Sequence, residues 1–315
     1  MNVRRPHISG AALAAVAVLG IGSLSACSTD SAAADGRFDV VASFYPMQFL
    51  AERIGGDHVH VTTLTEPGQE PHELELSLRQ RAELEESDAA LYLSGLQPSV
   101  DEAIDQAGLK TKIDAAHLTR LEDHGDVEHD HGGEEQPEEE EHSLDPHVWL
   151  DPVKYAEIAE GVGTAFAKAD PDHAADYRKN TDALVDRLHA LDTEFRDGLK
   201  NTKTKVFFTN HASFGYFAER YGLTQEAISG VDPESEPSPA RIRELREEAR
   251  ADGVTTVFYE TLVSGKTAKT LADDAGLRTD VLDPLEGLTD RSKGDDYFAV
   301  MEANLTALKK ALGAR

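Results

Sequence analysis

Cysteine is nearly missing from this chain: its 315 residues contain one, Cys27. That count excludes a disulfide framework and a cysteine metal centre. Basic residues are scarce as well, 31 Lys and Arg against 59 Asp and Glu, which leaves a formal net charge of −28. Phosphate neutralisation needs a basic face, so nucleic acid is not an expected partner. An acidic surface is permissive for cations and otherwise reports solubility. Positive charge vanishes altogether over 122–142, which hold eleven acids and no Lys or Arg.

Long apolar runs are confined to the N-terminus, where Ile8 to Leu24 follow Arg4 and Arg5. A basic start, a short apolar region and small residues before a cleavage point spell a secretory signal and not a spanning helix. Its end, Leu24-Ser25-Ala26-Cys27, resembles the bacterial lipoprotein signal. That likeness implies removal of 1–26, lipidation of Cys27 and anchorage to the outer face of the bacterial cell membrane. Residues 27–37 are small and polar and suit a flexible tether. About 280 residues follow, enough for one large domain or two lobes.

Strand-like and helix-like segments alternate in two similar halves. The first half reads strand 38–44, a helix from Pro46 to the glycines at 55–56, strand 59–64, helix 77–87, strand 89–93 and helix 98–107. A helix at 152–167 follows, with Asp151 as its N-cap and Pro152 at its first position. Residues 171–199 keep helical periodicity and span roughly 40 Å at the helical rise, the length of a spine between two lobes. The second half reads strand 205–209, helix 214–221, helix 240–251, strand 254–259, helix 265–275, strand 278–282 and a closing helix 297–312. Such alternation predicts parallel sheets, hence an α/β protein with its ligand at the carboxyl ends of the strands. The expected boundaries are an N-terminal lobe 38–170, a linking helix 171–200 and a C-terminal lobe 201–315.

Residues 122–147, EDHGDVEHDHGGEEQPEEEEHSLDPH, hold five of the thirteen histidines. Imidazole with carboxylate is the donor set for a divalent cation such as zinc. A run so polar cannot bury apolar surface, so a mobile loop is expected. It empties into DPHVWLDP, which carries His147. His72 lies in EPGQEPH after strand 59–64, His211 directly after strand 205–209, and Asp283 directly after strand 278–282. One loop histidine is usually a surface residue, and Asp before Pro is usually a turn. Four such donors at four junctions, two per half, are not explained that way. Three neutral imidazoles and one carboxylate suit four-coordinate zinc with bonds of about 2.0–2.2 Å.

The segments PGQEPHELE, DPHVWLDP, NHASFGYFAERYGL, EPSPARI and LDPLEGL resemble those of the zinc/manganese solute-binding proteins of bacterial ABC transporters. They occur in the family's order, from about Phe38 to the C-terminus. The resemblance implies two (β/α) lobes joined by one long rigid helix, with metal in the cleft and ligands at His72, His147, His211 and Asp283. Glu70, Glu260 or a water compete with Asp283 for the fourth position. Histidine at 211, where manganese-type members commonly have glutamate, favours zinc, as does the softness of imidazole. Zinc-type members often carry a His-rich acidic insertion before the DPHVWLDP-like motif, and 122–142 sit there. The run reads either as a weaker collector built on His124, His129, His131 and His142 or as an inert linker, since its carboxylates outnumber its imidazoles eleven to four.

The implied function is zinc capture outside the membrane and delivery to an ABC permease with its cytoplasmic ATPase, by a monomer without enzyme activity. The alternatives are a manganese or iron carrier of the same family or a metal-binding adhesin. A zinc hydrolase is disfavoured, because no HExxH-like base lies near the ligands and Asp283 would close the open coordination position. Each imidazole must be neutral to bind, so metal release is expected as pH falls towards and below about 6.

Overall fold

The computed structural model describes residues 36–124 and 144–314. In the first lobe β1 (Phe38–Ala42), β2 (Val59–Thr63), β3 (Ala89–Tyr92) and β4 (Thr111–Asp114) form one parallel sheet in the order β2-β1-β3-β4. Parallel neighbours require crossovers, and helices α1 (Tyr45–Gly55), α2 (Leu78–Glu86) and α3 (Pro98–Gln106) supply them. The second lobe repeats the plan. Its strands β5 (Val206–Thr209), β6 (Thr224–Ala227), β7 (Thr256–Tyr259) and β8 (Arg278–Val281) pair in parallel in the order β6-β5-β7-β8. Helices α6 (Gly215–Tyr221), α7 (Pro239–Ala251) and α8 (Lys266–Ala275) make the crossovers, and α9 (Tyr297–Leu312) closes the chain.

Helix α4 (Pro152–Ala169) packs in the first lobe, and α5 (Ala174–Leu199) runs between the lobes. Asp151 caps α4 by accepting from the Val153 amide at 2.8 Å, with Pro152 in the first turn. Helix α5 has 26 residues, about 39 Å of rise, and buries Tyr177, Leu184, Leu188, Leu191, Phe195 and Leu199 along one stripe. It packs on α1 and α4 in one lobe and on α6 and α9 in the other. Gly163 permits the close approach of α4, because a Cβ there would collide with Thr181 Oγ1.

A smaller apolar cluster lies in each lobe, and the largest core continues through both. At its centre Phe44 meets Trp149 edge-on at 5.0 Å, and Phe49 lies 5.4 Å from Tyr297. The Tyr297 hydroxyl donates to the Trp149 carbonyl at 2.7 Å, and Trp149 Nε1 donates to the Pro284 carbonyl at 2.7 Å. Arg220 of α6 pairs with the buried Asp151. Close-packed cores are not continuously deformable, so the lobes are braced against large hinge motion.

Two strands were not anticipated from sequence. Both β4 (TKID) and β6 (TQEA) are four-residue sheet edges of mostly polar residues, so neither carries an apolar run. The long helix begins at Ala174 because Pro171–His173 form a 3₁₀ turn. The expected signal 1–26, Cys27, the tether through residue 35, and His129, His131 and His142 lie outside the described residues, as does the expected mobile loop from 125 to 142. Among the described residues no helix is long and apolar enough to cross a membrane.

Candidate metal centre

Loops at the carboxyl ends of strands from both sheets converge between the lobes. His72 comes from the loop between β2 and α2, His211 follows β5, and Glu286 lies beyond the end of β8. His147 precedes a 3₁₀ turn, Val148–Leu150, that leads into α4. Their donor atoms gather in one place. Glu286 Oε1 stands 3.2 Å from His147 Nε2, 3.2 Å from His211 Nε2 and 3.4 Å from His72 Nε2. His211 Nε2 and His147 Nε2 are 3.4 Å apart. A tetrahedron of zinc bonds near 2.0–2.1 Å has edges of about 3.3–3.4 Å. Four of the six donor–donor distances already stand near the edge lengths of that polyhedron.

Each imidazole but one is aimed by a carboxylate behind it. Asp145 Oδ1 accepts from His147 Nδ1 at 2.8 Å and from the His147 amide at 2.9 Å. Glu260 Oε1, just past β7, accepts from His211 Nδ1 at 2.6 Å. These contacts put the proton on Nδ1 and turn the Nε2 lone pair towards the centre, as metal-binding histidines require. The side chains of His147, His211 and Glu286 are 0% exposed and that of His72 is 11% exposed. Access for a cation is therefore past His72. The buried Oε2 of Glu286 has no hydrogen-bond partner among the described residues, so it too remains available to a cation.

The electrostatics match a cation site. Burial would lower the His211 pKa, but Glu260 and Glu286 hold it well above the ordinary value. His147 is raised in the same way, by Asp145 and Glu286 against the effect of burial. Burial would raise the Glu286 pKa, yet the facing imidazoles hold it well below the usual carboxylate range. Burial raises Glu70, which neighbours His72 and Glu286.

The carboxylate that joins this cluster is Glu286, where the sequence pointed to Asp283. Asp283 is a turn residue. Its Oδ1 accepts from the Leu285 amide at 2.9 Å, and its Oδ2 accepts from Thr261 Oγ1 at 3.1 Å and Ser292 Oγ at 2.9 Å. Asn304 receives the Asp283 amide at 3.0 Å and donates to its carbonyl at 2.7 Å. This knot forces Leu285 to φ 60°, the one positive φ outside glycine among the described residues, and the next residue is Glu286. Backbone strain of this kind clusters at functional sites. Both named alternatives to Asp283 also fall outside the donor set: Glu260 orients His211, and Glu70 Oε2 caps its own loop by accepting from the Glu73 amide at 3.2 Å. Glu286 stood in the same LDPLEGL segment, and a charged residue between Leu and Gly in so apolar a stretch was its only sequence signal. Of the expected collector histidines, His124 is described, and it lies near Glu122 and Glu219 away from this centre.

The family model described as zinc-uptake complex component A, periplasmic (ZnuA), matches residues 40–311. The zinc-binding lipoprotein AdcA of Streptococcus pneumoniae is 38% identical over 297 residues, covering 91% of this chain and 58% of that protein. The chain thus spans little more than half the length of that relative. The high-affinity zinc uptake system protein ZnuA of Bacillus subtilis is 34% identical over 300 residues, covering 92% of this chain and 93% of that one. Among solved structures, the Zn(II)-bound ZnuA-like domain of S. pneumoniae AdcA superposes with a TM-score of 0.72 at 35% identity, covering 88% of this chain and 99% of that one. The laminin-binding protein Lmb of Streptococcus agalactiae, described as having adhesin and metal-transporting activity, gives 0.76 at 28% identity, over 88% of this chain and 99% of that one.

Proposed function

Because the chain belongs to the ZnuA family of zinc-uptake components, we propose that it captures zinc outside the membrane and hands it to an ABC permease. The observation that carries this reading is the set of three imidazole nitrogens and one carboxylate oxygen 3.2–3.4 Å from its neighbours. Zinc is the cargo of this site. His72, His147, His211 and Glu286 are the proposed ligands, Asp145 and Glu260 orient two of them, and four protein donors complete a tetrahedron with no position left for an activated water. That arrangement binds and does not catalyse. The nitrogen-rich set favours zinc over manganese, which takes more oxygen ligands. The continuous core limits closure to small lobe rotations and loop ordering around His72. Lipidation of Cys27, after removal of 1–26, would hold the protein on the outer face of the membrane within reach of the permease.

Metal titration of the purified chain tests this. One tight zinc per chain, lost in His211→Ala, is the expected result. A preference for manganese over zinc at that site would overturn it.

A further inference from the structure

Outside the primary cluster, one more group of metal donors stands among the described residues. Glu122, His124 and Glu219 each offer an atom within 4.8 Å of the others. His124 Nε2 lies 2.8 Å from Glu219 Oε2, while His124 Nδ1 faces Asp145 Oδ2 at 3.1 Å. Asp145 is the carboxylate whose other oxygen orients His147. One buried side chain therefore aims two imidazoles in the same manner, each through Nδ1, leaving each Nε2 for a cation. Gly215 makes room for the arrangement: a Cβ there would collide with His124 Cβ and stand 2.8 Å from Asp145 Oδ2. A cavity of about 340 Å³ opens beside His124 and Glu219, lined also by Gln225, Glu226 and Arg241. It has space for the water ligands that complete a three-donor site.

Described residues on both sides of the acidic run hold the group together. The Asp145 amide donates to the Glu122 carbonyl at 3.0 Å, the Glu122 amide donates to the Tyr216 hydroxyl at 2.7 Å, and that hydroxyl reaches the Asp145 carbonyl at 2.7 Å. Tyr216 thus clamps the two ends of the acidic run together, and His124 stands edge-on to its ring at 4.1 Å. Lys154 Nζ holds Glu122 Oε1 at 3.0 Å, so a cation competes with an ammonium there. The Glu219 side chain is 62% exposed. Both features make this a weaker and faster-exchanging site than the buried cluster.

We infer that Glu122, His124 and Glu219 form a second zinc site at the root of the acidic run, oriented by the same Asp145 that orients His147 in the primary site. A nitrogen and two carboxylates, open to solvent, suit zinc in passage. The choice of cation rests on the function proposed above, and the geometry does not.

Zinc titration with a chelator competitor separates the two claims. The full chain, a chain in which a short Gly-Ser linker replaces 125–142, and that shortened chain carrying Glu219→Gln are compared. The shortened chain is expected to keep one tight and one weaker equivalent, and Glu219→Gln to weaken the second about tenfold or more without moving the tight one. Adding Glu122→Gln should abolish the second equivalent. Loss of the weaker equivalent on shortening, or its indifference to Glu219→Gln, would overturn the second site while leaving the primary one standing. Absence of the tight equivalent would instead overturn the proposed function.

Discussion

Two regions of this molecule are made of the same chemistry and differ in how it is held. The root of the acidic run brings Glu122, His124 and Glu219 together at the surface, with Lys154 already paired to one of them. The central cluster brings His72, His147, His211 and Glu286 together between two sheets, three of them fully buried. In the first, water and lysine solvate the donors, so little is gained when a cation replaces them. In the second, burial has stripped the solvent from a carboxylate and two imidazoles, and only protons or a cation can repay that cost. The lesson is that the density of donors in sequence reports availability, whereas desolvation and prior orientation set affinity.

Removing the buried carboxylate should have the largest effect. Glu286→Gln keeps the shape and deletes the charge that faces three imidazoles. One ligand's share of a four-ligand zinc site is on the order of a thousandfold in affinity, and competition titration should show a loss of that size. Asp283→Asn, three residues away, should instead lower the melting temperature of the metal-free protein and leave one zinc per chain, because Asp283 serves the turn. Equal losses of zinc from both variants would return Asp283 to the ligand set.

That pair of variants also marks where the sequence was legible. The parallel α/β plan could be read because apolar strands alternate with helices, most of which begin at a capping side chain or a proline. His72, His147 and His211 could be read because each is a lone imidazole at a strand-to-loop or loop-to-helix junction. The fourth donor could not be read that way. Asp283 and Glu286 share one short segment, and choosing between them requires knowing that the Leu285 backbone turns to φ 60°. Asp283, which accepts from the Leu285 amide at that turn, is itself held by Asn304 and Ser292, 21 and 9 residues from it in sequence. The orienting roles of Asp145 and Glu260 were hidden because a carboxylate two residues before His147, or past the strand that neighbours the one before His211, looks in sequence like any solvated acid. The edge strands β4 and β6 were missed because their partners, and not their composition, make them strands.

Smaller effects should follow from loosening the aim of the imidazoles. Asp145→Asn and Glu260→Gln each leave all four central donors in place and change what stands behind His147 or His211, and Asp145→Asn also what stands behind His124. Loss of such outer partners costs about ten- to a hundredfold in metal affinity. Asp145→Asn should weaken both the central site and the root, whereas Glu260→Gln should weaken the central site alone. No change in either variant would mean that packing, not the carboxylates, fixes the rings.

The pH dependence sharpens the contrast between filled and empty centres. In the metal-free protein His147 and His211 have raised pKa values. A raised histidine adds stability below its unfolded value of about 6.5 and loses that contribution as pH rises through the folded value. Glu286 has a lowered pKa, so its contribution is present above the unfolded carboxylate value and is lost as pH falls through the folded one. Metal-free protein should therefore be most stable between those limits and soften as pH climbs past the histidine range. Zinc requires neutral rings, so the loaded protein should follow the opposite trend. The zinc-induced rise in melting temperature should be small near pH 5.5 and grow steadily towards pH 8. A shift independent of pH would mean that the imidazoles are not the ligands.

The smallest expected effect concerns the acidic run itself. Deleting 122–142 removes eleven carboxylates and four of the thirteen histidines, yet touches none of the four central donors. It does remove His124, one of the two imidazoles that Asp145 engages. His147 and its amide still occupy Asp145 Oδ1, so the ring of His147 keeps its aim. The tight zinc should change by no more than a few-fold, less than the loss of a full outer partner. Total zinc bound per chain at high metal should nonetheless fall. If the tight equivalent vanished with the deletion, the acidic run would supply a primary ligand, and the division between a solvated collector and a desolvated site would have to be abandoned.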